Sequence, residues 1–138
     1  GLEKKVIMTG WLPTQKEVNK YLNAADCLLV TRRNTEDNSG IIPSSLYHSM
    51  PTGKPTVATG LGGMSEIIKH GVYGYLYEPD NYKSFKDVLE YAAAHPKDAL
   101  KVGRAGIKRA KECFNPKRAV NLYEKVIDDL LDKYAKVE

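Results

Sequence analysis

Length, composition and charge limit what this chain can be. It has 138 residues, of which 42% are hydrophobic and 28% are charged, and its formal net charge is +4. That length can bury one hydrophobic core but not two, so we expect a single domain or part of one. No stretch approaches the roughly 18 consecutive apolar residues of a membrane-spanning helix, which favours a soluble protein of the cytoplasm.

The excess positive charge is concentrated in two predicted helices near the end of the chain. These segments lack the interleaved aromatic residues and the fold signatures of nucleic-acid-binding proteins, so we expect solvated helix faces and no nucleic-acid partner. A looser attraction to an anionic membrane, as a peripheral contact at its inner face, or to a phosphorylated acceptor remains open. The basic residues are Lys101, Arg104, Lys108, Arg109, Lys111, Lys117 and Arg118.

The cysteines and histidines do not form a metal-binding or disulfide pattern. Cys27 and Cys113 are far apart in the chain, and His48, His70 and His95 are scattered. Neither a CxxC pair nor a helical HExxH motif is present. We therefore expect reduced thiols, no metal site and no cofactor.

The first predicted elements are a strand, a helix and a second strand. Residues 6–11 form an apolar run closed by a glycine, and Thr14 is placed to cap a helix over residues 15–25. Residues 27–31 are apolar without alternation, which is typical of a strand covered on both faces.

The middle of the chain predicts two further helices and two further strands. Pro43 stands at the start of a short helix that ends near Gly53, and residues 55–59 form a buried strand. A helix over residues 65–70, with Glu66 in its first turn, precedes a strand over residues 73–77.

The remainder is predicted to be helical. Phe85, Val88, Leu89 and Ala92 define one apolar stripe, and Pro96 and Pro116 lie near helix starts. Strands that alternate with helices predict an α/β fold, a partial doubly wound (Rossmann-like) parallel sheet flanked by helices, with C-terminal helices. Four strands are few for such a sheet, so we expect a preceding βαβ unit outside this chain. The last predicted helix carries a second apolar stripe, which consists of Val120, Tyr123, Ile127, Leu130 and Tyr134.

Ligands of open parallel sheets bind at the loops that follow the carboxyl ends of the strands. Three such loops, at residues 10–12, 32–45 and 60–63, contain glycines that allow a ligand to approach the backbone. The middle loop also contains Glu36 and Asp37, which would repel a phosphate but can accept hydrogen bonds from sugar hydroxyls. This combination indicates a sugar nucleotide.

Several ordered motifs resemble those of one enzyme family. The run GIIPSSLYHSMPTGKPTVAT at residues 40–59 is similar to the donor-site signature of retaining GT-B glycosyltransferases of the group 1 type. Members often read Pro-Ser-Lys-Leu-Tyr-Glu-Tyr-Met-Ala-x-Gly-Lys-Pro. Residues 62–68 resemble the family's Gly-Gly-x-x-Glu-Ile-Val element, and residues 78–80 resemble its Pro-Gly-Asp turn. The likeness covers nearly the whole chain.

The resemblance implies roles for the loop residues. Backbone N–H groups of residues 39–42, with the helix that follows, would bind the diphosphate, and carboxylates would receive hydroxyls of the donor sugar. The implied catalytic residues are Asp37 and Glu36. The implied donor-binding residues are Gly10, Ser39, Gly40, Ile41, Ile42, Ser44, His48, Gly62 and Gly63.

This chain departs from the family pattern at one of two acidic positions. Asp37 best matches the first of two glutamates, whereas His48 stands in place of the second, which normally holds the ribose hydroxyls. A neutral histidine can accept one such hydrogen bond, whereas a carboxylate can accept one from each of the two ribose hydroxyls. An alternative is that His48 packs beneath its helix as a satisfied polar group.

The resemblance implies transfer of a hexose from a nucleoside diphosphate sugar to a saccharide or lipid-linked acceptor. Fixed N–H dipoles and cations would stabilise the departing diphosphate without a metal ion. We expect residues 1–138 to be the C-terminal nucleotide-sugar-binding domain, without its first βαβ unit and the N-terminal acceptor domain, and therefore inactive alone.

Two other classes of protein compete with this interpretation. One is a catalytically inactive, glycosyltransferase-like binding or assembly module, in which His48 marks a decayed donor site. The other, a response-regulator-like α/β domain, is disfavoured because no predicted strand ends in the required acidic cluster. Titration with nucleoside diphosphates distinguishes an enzyme domain from a module.

Overall fold

The computed structural model describes residue 1 and residues 3–135. Within this part of the chain, three helices alternate with three strands, and three consecutive helices follow. Short 3-10 turns occur at Glu36–Asn38 and Met50–Thr52. The elements are α1 (Gln15–Ala24), β1 (Leu28–Val30), α2 (Ser44–Ser49), β2 (Thr56–Thr59), α3 (Gly62–Ile67), β3 (Tyr75–Tyr77), α4 (Tyr82–Ala94), α5 (Pro96–Cys113) and α6 (Pro116–Ala135).

The three strands form one parallel sheet in the order β1-β2-β3. Leu29 pairs with Val57, and Ala58 pairs with Leu76. All four residues of the central strand β2 are buried, as expected for a strand covered on both faces. The predicted fold class, a parallel sheet flanked by helices and followed by C-terminal helices, is confirmed.

The predicted strand at residues 6–11 is wrong, so three strands are present in the described residues where four were expected. These residues have no regular secondary structure. Their side chains face solvent, with Met8 89% and Trp11 92% exposed. The apolar pattern of residues 6–11 is that of a strand, but a strand also needs a neighbouring strand to bond with. In the described residues β1 is bonded only to β2, so residues 6–11 have not joined the sheet.

Local signals placed most element ends correctly. The Thr14 side chain accepts a hydrogen bond from the Glu17 N–H at the start of α1, as an N-cap does. Gly53 has a left-handed backbone, φ 73°, after the 3-10 turn that extends α2. Pro96 and Pro116 are the first residues of α5 and α6.

The position of α3 differs from the prediction. The helix begins at Gly62 and ends at Ile67, instead of running over residues 65–70. Glu66 therefore lies in its last turn, where its backbone carbonyl accepts a hydrogen bond from Arg109 Nη2 at 2.8 Å. The helix starts early because the Leu61 carbonyl already accepts from the Ser65 N–H.

Two clusters of buried side chains hold the sheet between its helices. The first joins the sheet to α2, α3 and α5, and the second joins it to α4 and the first half of α5. The predicted stripe on α4 packs into the second cluster. The buried members are Val30, Leu46, Met50, Ala58, Leu61, Met64, Ile68 and Ala110 in the first cluster, and Val57, Tyr75, Ala92 and Ala99 in the second.

Burial changes the acidity of two side chains at the second cluster. Loss of hydration raises the pKa of the Cys27 thiol, although a contact with the Leu28 carbonyl opposes this. Burial also raises the pKa of the Tyr75 hydroxyl, and the neighbouring Tyr91 and Asp98 add to the effect. Both groups therefore stay neutral at pH 7.

Helix α6 packs differently from the other long helices. It is 20 residues long and buries none of its residues, although its apolar side chains recur at helical spacing. Tyr123 is 71% exposed and Leu131 is 63% exposed. No helix in the described ranges is both long and apolar enough to cross a bilayer.

Candidate functional site

The loop at residues 32–45 begins where β1 ends and contains the 3-10 turn Glu36–Asn38. Two side chains support that turn: Asn38 Nδ2 donates to Thr35 Oγ1 at 2.8 Å, and Ser39 Oγ donates to the Glu36 carbonyl at 2.9 Å. Local hydrogen bonds of this kind are the usual means by which serine and asparagine stabilise turns. The loop is therefore shaped by its own polar side chains.

This loop packs against the start of α3, backbone against backbone. The Gly63 N–H donates to the Ser39 carbonyl at 3.3 Å. A Cβ atom added to Gly62 would lie 2.8 Å from the Ser39 carbonyl oxygen, and one added to Gly63 would lie 2.6 Å from that of Gly40. Since real Cβ atoms do not come so close, only glycine permits this approach.

Two of the four predicted N–H donors are engaged within the loop. The Ser39 N–H donates to the Glu36 carbonyl and the Ile41 N–H donates to the Asn38 carbonyl, both at 3.3 Å. The N–H groups of Gly40 and Ile42 have no acceptor among the described residues. A Cβ added to Gly40 would meet nothing within 4 Å, so open space lies beside this backbone.

The two predicted carboxylates lie directly before this segment. Glu36 and Asp37 form most of the 3-10 turn and are exposed. Neither side chain is hydrogen-bonded or ion-paired within residues 3–135. Both remain able to accept hydrogen bonds from a ligand.

Helix α2 presents most of its polar residues to solvent. Ser44 and His48 are exposed, whereas Leu46 and Ser49 face the core. The alternative interpretation, in which His48 packs beneath the helix, is therefore wrong. Ile42 packs against the first core cluster and anchors the loop where α2 begins.

Gly10 is not brought to the other predicted residues. It adopts a left-handed conformation, φ 66°, and a Cβ added to it would meet nothing within 4 Å. Within the described residues, no hydrogen bond joins residues 6–11 to the loops at residues 32–45 or 60–63. The fold thus assembles the second and third predicted loops without the first.

Thr59, which the sequence analysis did not single out, ties together the carboxyl ends of all three strands. Its side chain is fully buried. The Arg32 N–H donates to Thr59 Oγ1 at 2.8 Å, and the same hydroxyl bonds the Arg32 carbonyl at 3.2 Å and the Tyr77 hydroxyl at 2.7 Å. A threonine at the carboxyl end of a buried strand is the sequence signal of this role.

Metal ligands do not converge in the described residues: no three His, Cys, Asp or Glu side chains are placed to hold one ion. The arrangement at residues 36–42 and 62–63 instead combines free backbone donors with exposed carboxylates.

Comparison with known proteins identifies a family. Residues 1–109 match the family model of glycosyl transferases group 1. The chain is 30% identical over 118 residues to the human alpha-1,3/1,6-mannosyltransferase ALG2, covering 86% of this chain and 27% of that protein. It is 27% identical over 130 residues to the amylovoran biosynthesis glycosyltransferase AmsK of Erwinia amylovora, covering 94% and 32%.

A solved structure shares the fold. The crystal structure of Anabaena HepE in complex with UDP and glucose superposes with a TM-score of 0.75 at 21% identity, covering 95% of this chain and 33% of that one. The chain thus spans about a third or less of the length of these relatives.

Proposed function

Because the chain belongs to the glycosyl transferases group 1 family, we propose that it is the donor-binding domain of a retaining glycosyltransferase. The transferred group is a hexose, the donor is a nucleoside diphosphate sugar, and the acceptor is a saccharide or a lipid-linked saccharide. In this proposal residues 1–138 correspond to the C-terminal domain of the enzyme, and the acceptor is bound elsewhere in the larger protein.

The observation that supports this proposal most directly is the packing of residues 39–42 on residues 62–63. The glycine backbones meet without side chains between them, and the N–H groups of Gly40 and Ile42 lack acceptors within the described residues. Such fixed donors suit the oxygens of a diphosphate, and they need no reorganisation when negative charge develops on it.

The neighbouring carboxylates fit the sugar end of such a ligand. Asp37 and Glu36 are exposed, and in our proposal they accept hydrogen bonds from hexose hydroxyls while the glycosidic bond breaks. A carboxylate near the anomeric carbon also stabilises the positive charge that develops there. His48, exposed on α2, can offer one hydrogen bond to the ribose.

Transfer requires more than this segment provides. The residues assigned to the donor, 36–42 and 62–63, include two acids and no Lys or Arg, and in this proposal the acceptor is bound elsewhere in the larger protein. We therefore expect the 138-residue chain to bind donor without transferring the sugar to an acceptor.

Calorimetric titration of the chain with UDP, GDP and ADP tests donor binding. UDP is the first choice because the structural neighbour was solved with UDP. We expect one of the three diphosphates to bind, and Gly40→Leu to weaken that binding by at least about tenfold, because its side chain enters the open space beside the free N–H groups. Lys108→Leu, an exposed change on α5, is the control.

The two variants also separate binding from folding. A Cβ added to Gly40 meets nothing within 4 Å, so we expect the circular dichroism and urea midpoint of Gly40→Leu to be close to those of the parent. The proposal is overturned if none of the three diphosphates binds the parent chain, or if Gly40→Leu binds as tightly as Lys108→Leu.

A further inference from the structure

A cleft of about 710 Å³ opens at the carboxyl edge of the sheet, between the loop after β1 and the turn that leads from β3 into α4. In an open parallel sheet this edge is where ligands bind. The side chains that define the cleft are Arg32, Arg33, Tyr77, Asp80, Tyr82 and Phe85. The residues assigned above to the donor, 36–42 and 62–63, do not line it.

Aromatic rings form the apolar part of this cleft. Tyr77 and Phe85 are half-buried, and their ring centroids lie 4.9 Å apart at an angle of 60°. Tyr82, the first residue of α4, is 78% exposed, so its ring is available to a ligand. Aromatic faces carry partial negative charge and attract the C–H groups of a pyranose ring while excluding water from them.

Charged side chains form the polar part. Neither the guanidinium groups of Arg32 and Arg33 nor the carboxylate of Asp80 has a hydrogen-bond or ion-pair partner in residues 3–135. A guanidinium offers a planar set of donors that matches a carboxylate or phosphate, and a carboxylate accepts from hydroxyls. Two cations against one anion favour a negatively charged ligand.

The rim of the cleft is held in place before a ligand arrives. Asp80 adopts φ 57°, a left-handed conformation that a short polar residue tolerates. Asn81 Nδ2 donates to Glu78 Oε2 at 2.6 Å, and Asn81 Oδ1 accepts from the Ser84 N–H at 3.0 Å. A preorganised rim loses less entropy on binding than a flexible one does.

We propose that this cleft binds a saccharide that carries an anionic group, either a carboxylate or a phosphate. The rings hold a face of the sugar, the guanidinium groups hold the anion, and Asp80 accepts a sugar hydroxyl. The site is separate from the proposed donor site, and its occupancy does not depend on nucleotide binding.

Titration with four probes tests the contact with the sugar ring and the contact with the anion separately. Glucuronate and glucose 6-phosphate present a pyranose with an anion of each kind, glucose presents the ring alone, and inorganic phosphate presents the anion alone. Saturation-transfer difference NMR should show both anionic sugars binding the 138-residue chain. We expect glucose and inorganic phosphate to bind at least about tenfold more weakly, because each lacks one set of contacts.

Substitutions locate the binding. Arg33→Ala should weaken both anionic sugars by about tenfold, and Tyr82→Ala should weaken glucose 6-phosphate and glucuronate alike. Lys83→Ala, an exposed neighbour that does not line the cleft, should leave their affinities unchanged. None of these three changes should alter the affinity for UDP, whereas Gly40→Leu should leave the anionic sugars unaffected.

Each contrary result is decisive. The proposal is overturned if neither anionic sugar binds, if glucose binds as tightly as they do, or if inorganic phosphate alone does so. Loss of anionic-sugar binding in Gly40→Leu but not in Arg33→Ala would place the sugar at the donor site and also overturn it. Because UDP is measured in parallel, failure here is distinct from failure of the proposed donor function.

Discussion

At the scale of single residues, Thr59 controls the geometry of the carboxyl edge. Its hydroxyl accepts from the Arg32 N–H at 2.8 Å and bonds the Tyr77 hydroxyl at 2.7 Å. It therefore fixes the first residue of the loop that carries Asp37 and Gly40. Such a buried hydroxyl cannot be replaced by an apolar group of the same shape without leaving polar partners unsatisfied.

We expect Thr59→Val to lower the free energy of unfolding by about 1 to 3 kcal/mol and also to weaken UDP binding. Thr56→Val is a matched control, because Thr56 is equally buried in β2 but its hydroxyl makes only one long bond, 3.5 Å, to the Lys54 carbonyl. Urea unfolding and calorimetry measure the two effects. Equal losses of stability in the two variants would contradict the role assigned to Thr59.

At the scale of elements, helix α5 contacts the segments on either side of the sheet's central strand and holds them in position. It packs on the segment that links α2 to β2, and a Cβ on Gly103 would lie 2.6 Å from the Lys54 carbonyl carbon and 2.7 Å from the Pro55 nitrogen. Near its end, Arg109 Nε donates to the Ile67 carbonyl at 3.1 Å and so holds the last turn of α3. The middle and the end of α5 thus position both short helices next to the candidate site.

We expect Gly103→Ala to destabilise the protein by about 1 to 3 kcal/mol, because the added methyl overlaps backbone atoms that cannot move independently. This outweighs the gain of up to about 1 kcal/mol that alanine brings to a helix. Gly40→Ala, where an added methyl meets nothing within 4 Å, should have a small effect. A Gly103→Ala variant as stable as the parent in urea would show that α5 is not held closely against this segment.

At the scale of the whole molecule, the buried hydrophobic side chains of the described residues lie between Leu28 and Ala110, and α6 contributes none of them. Side chains of α6 such as Val126 and Ile127 are 55% and 54% exposed, so the helix contributes little apolar burial. An amphipathic helix without a packed partner is marginal on its own.

We expect removal of residues 116–138 to change the free energy of unfolding of the remaining chain by less than about 1 kcal/mol. The reason is that the deletion takes away no member of either core cluster. Urea unfolding followed by the circular dichroism of the sheet and of α5 measures this. A loss above about 3 kcal/mol would mean that α6 is part of the cooperative unit.

The sequence by itself determined the type and order of most elements, because their signals are local. Thr14 caps α1 through a side chain three residues from its partner, and Gly53 ends the turn after α2 with a backbone that glycine adopts readily. The parallel sheet also followed from local patterns, since buried strands that alternate with helices have few other arrangements.

Only the tertiary structure decided the features that depend on contacts between residues far apart in the sequence. Residues 6–11 have the composition of a strand but no strand to pair with in the described residues, and Gly10 therefore lies apart from the other predicted site residues. Helix α3 begins at Gly62 where the loop at residues 39–41 packs against it. Thr59 meets Arg32 across 27 positions of sequence. Hydrogen bonds between strands and contacts between backbones join residues far apart in the chain, and local patterns do not record such pairs.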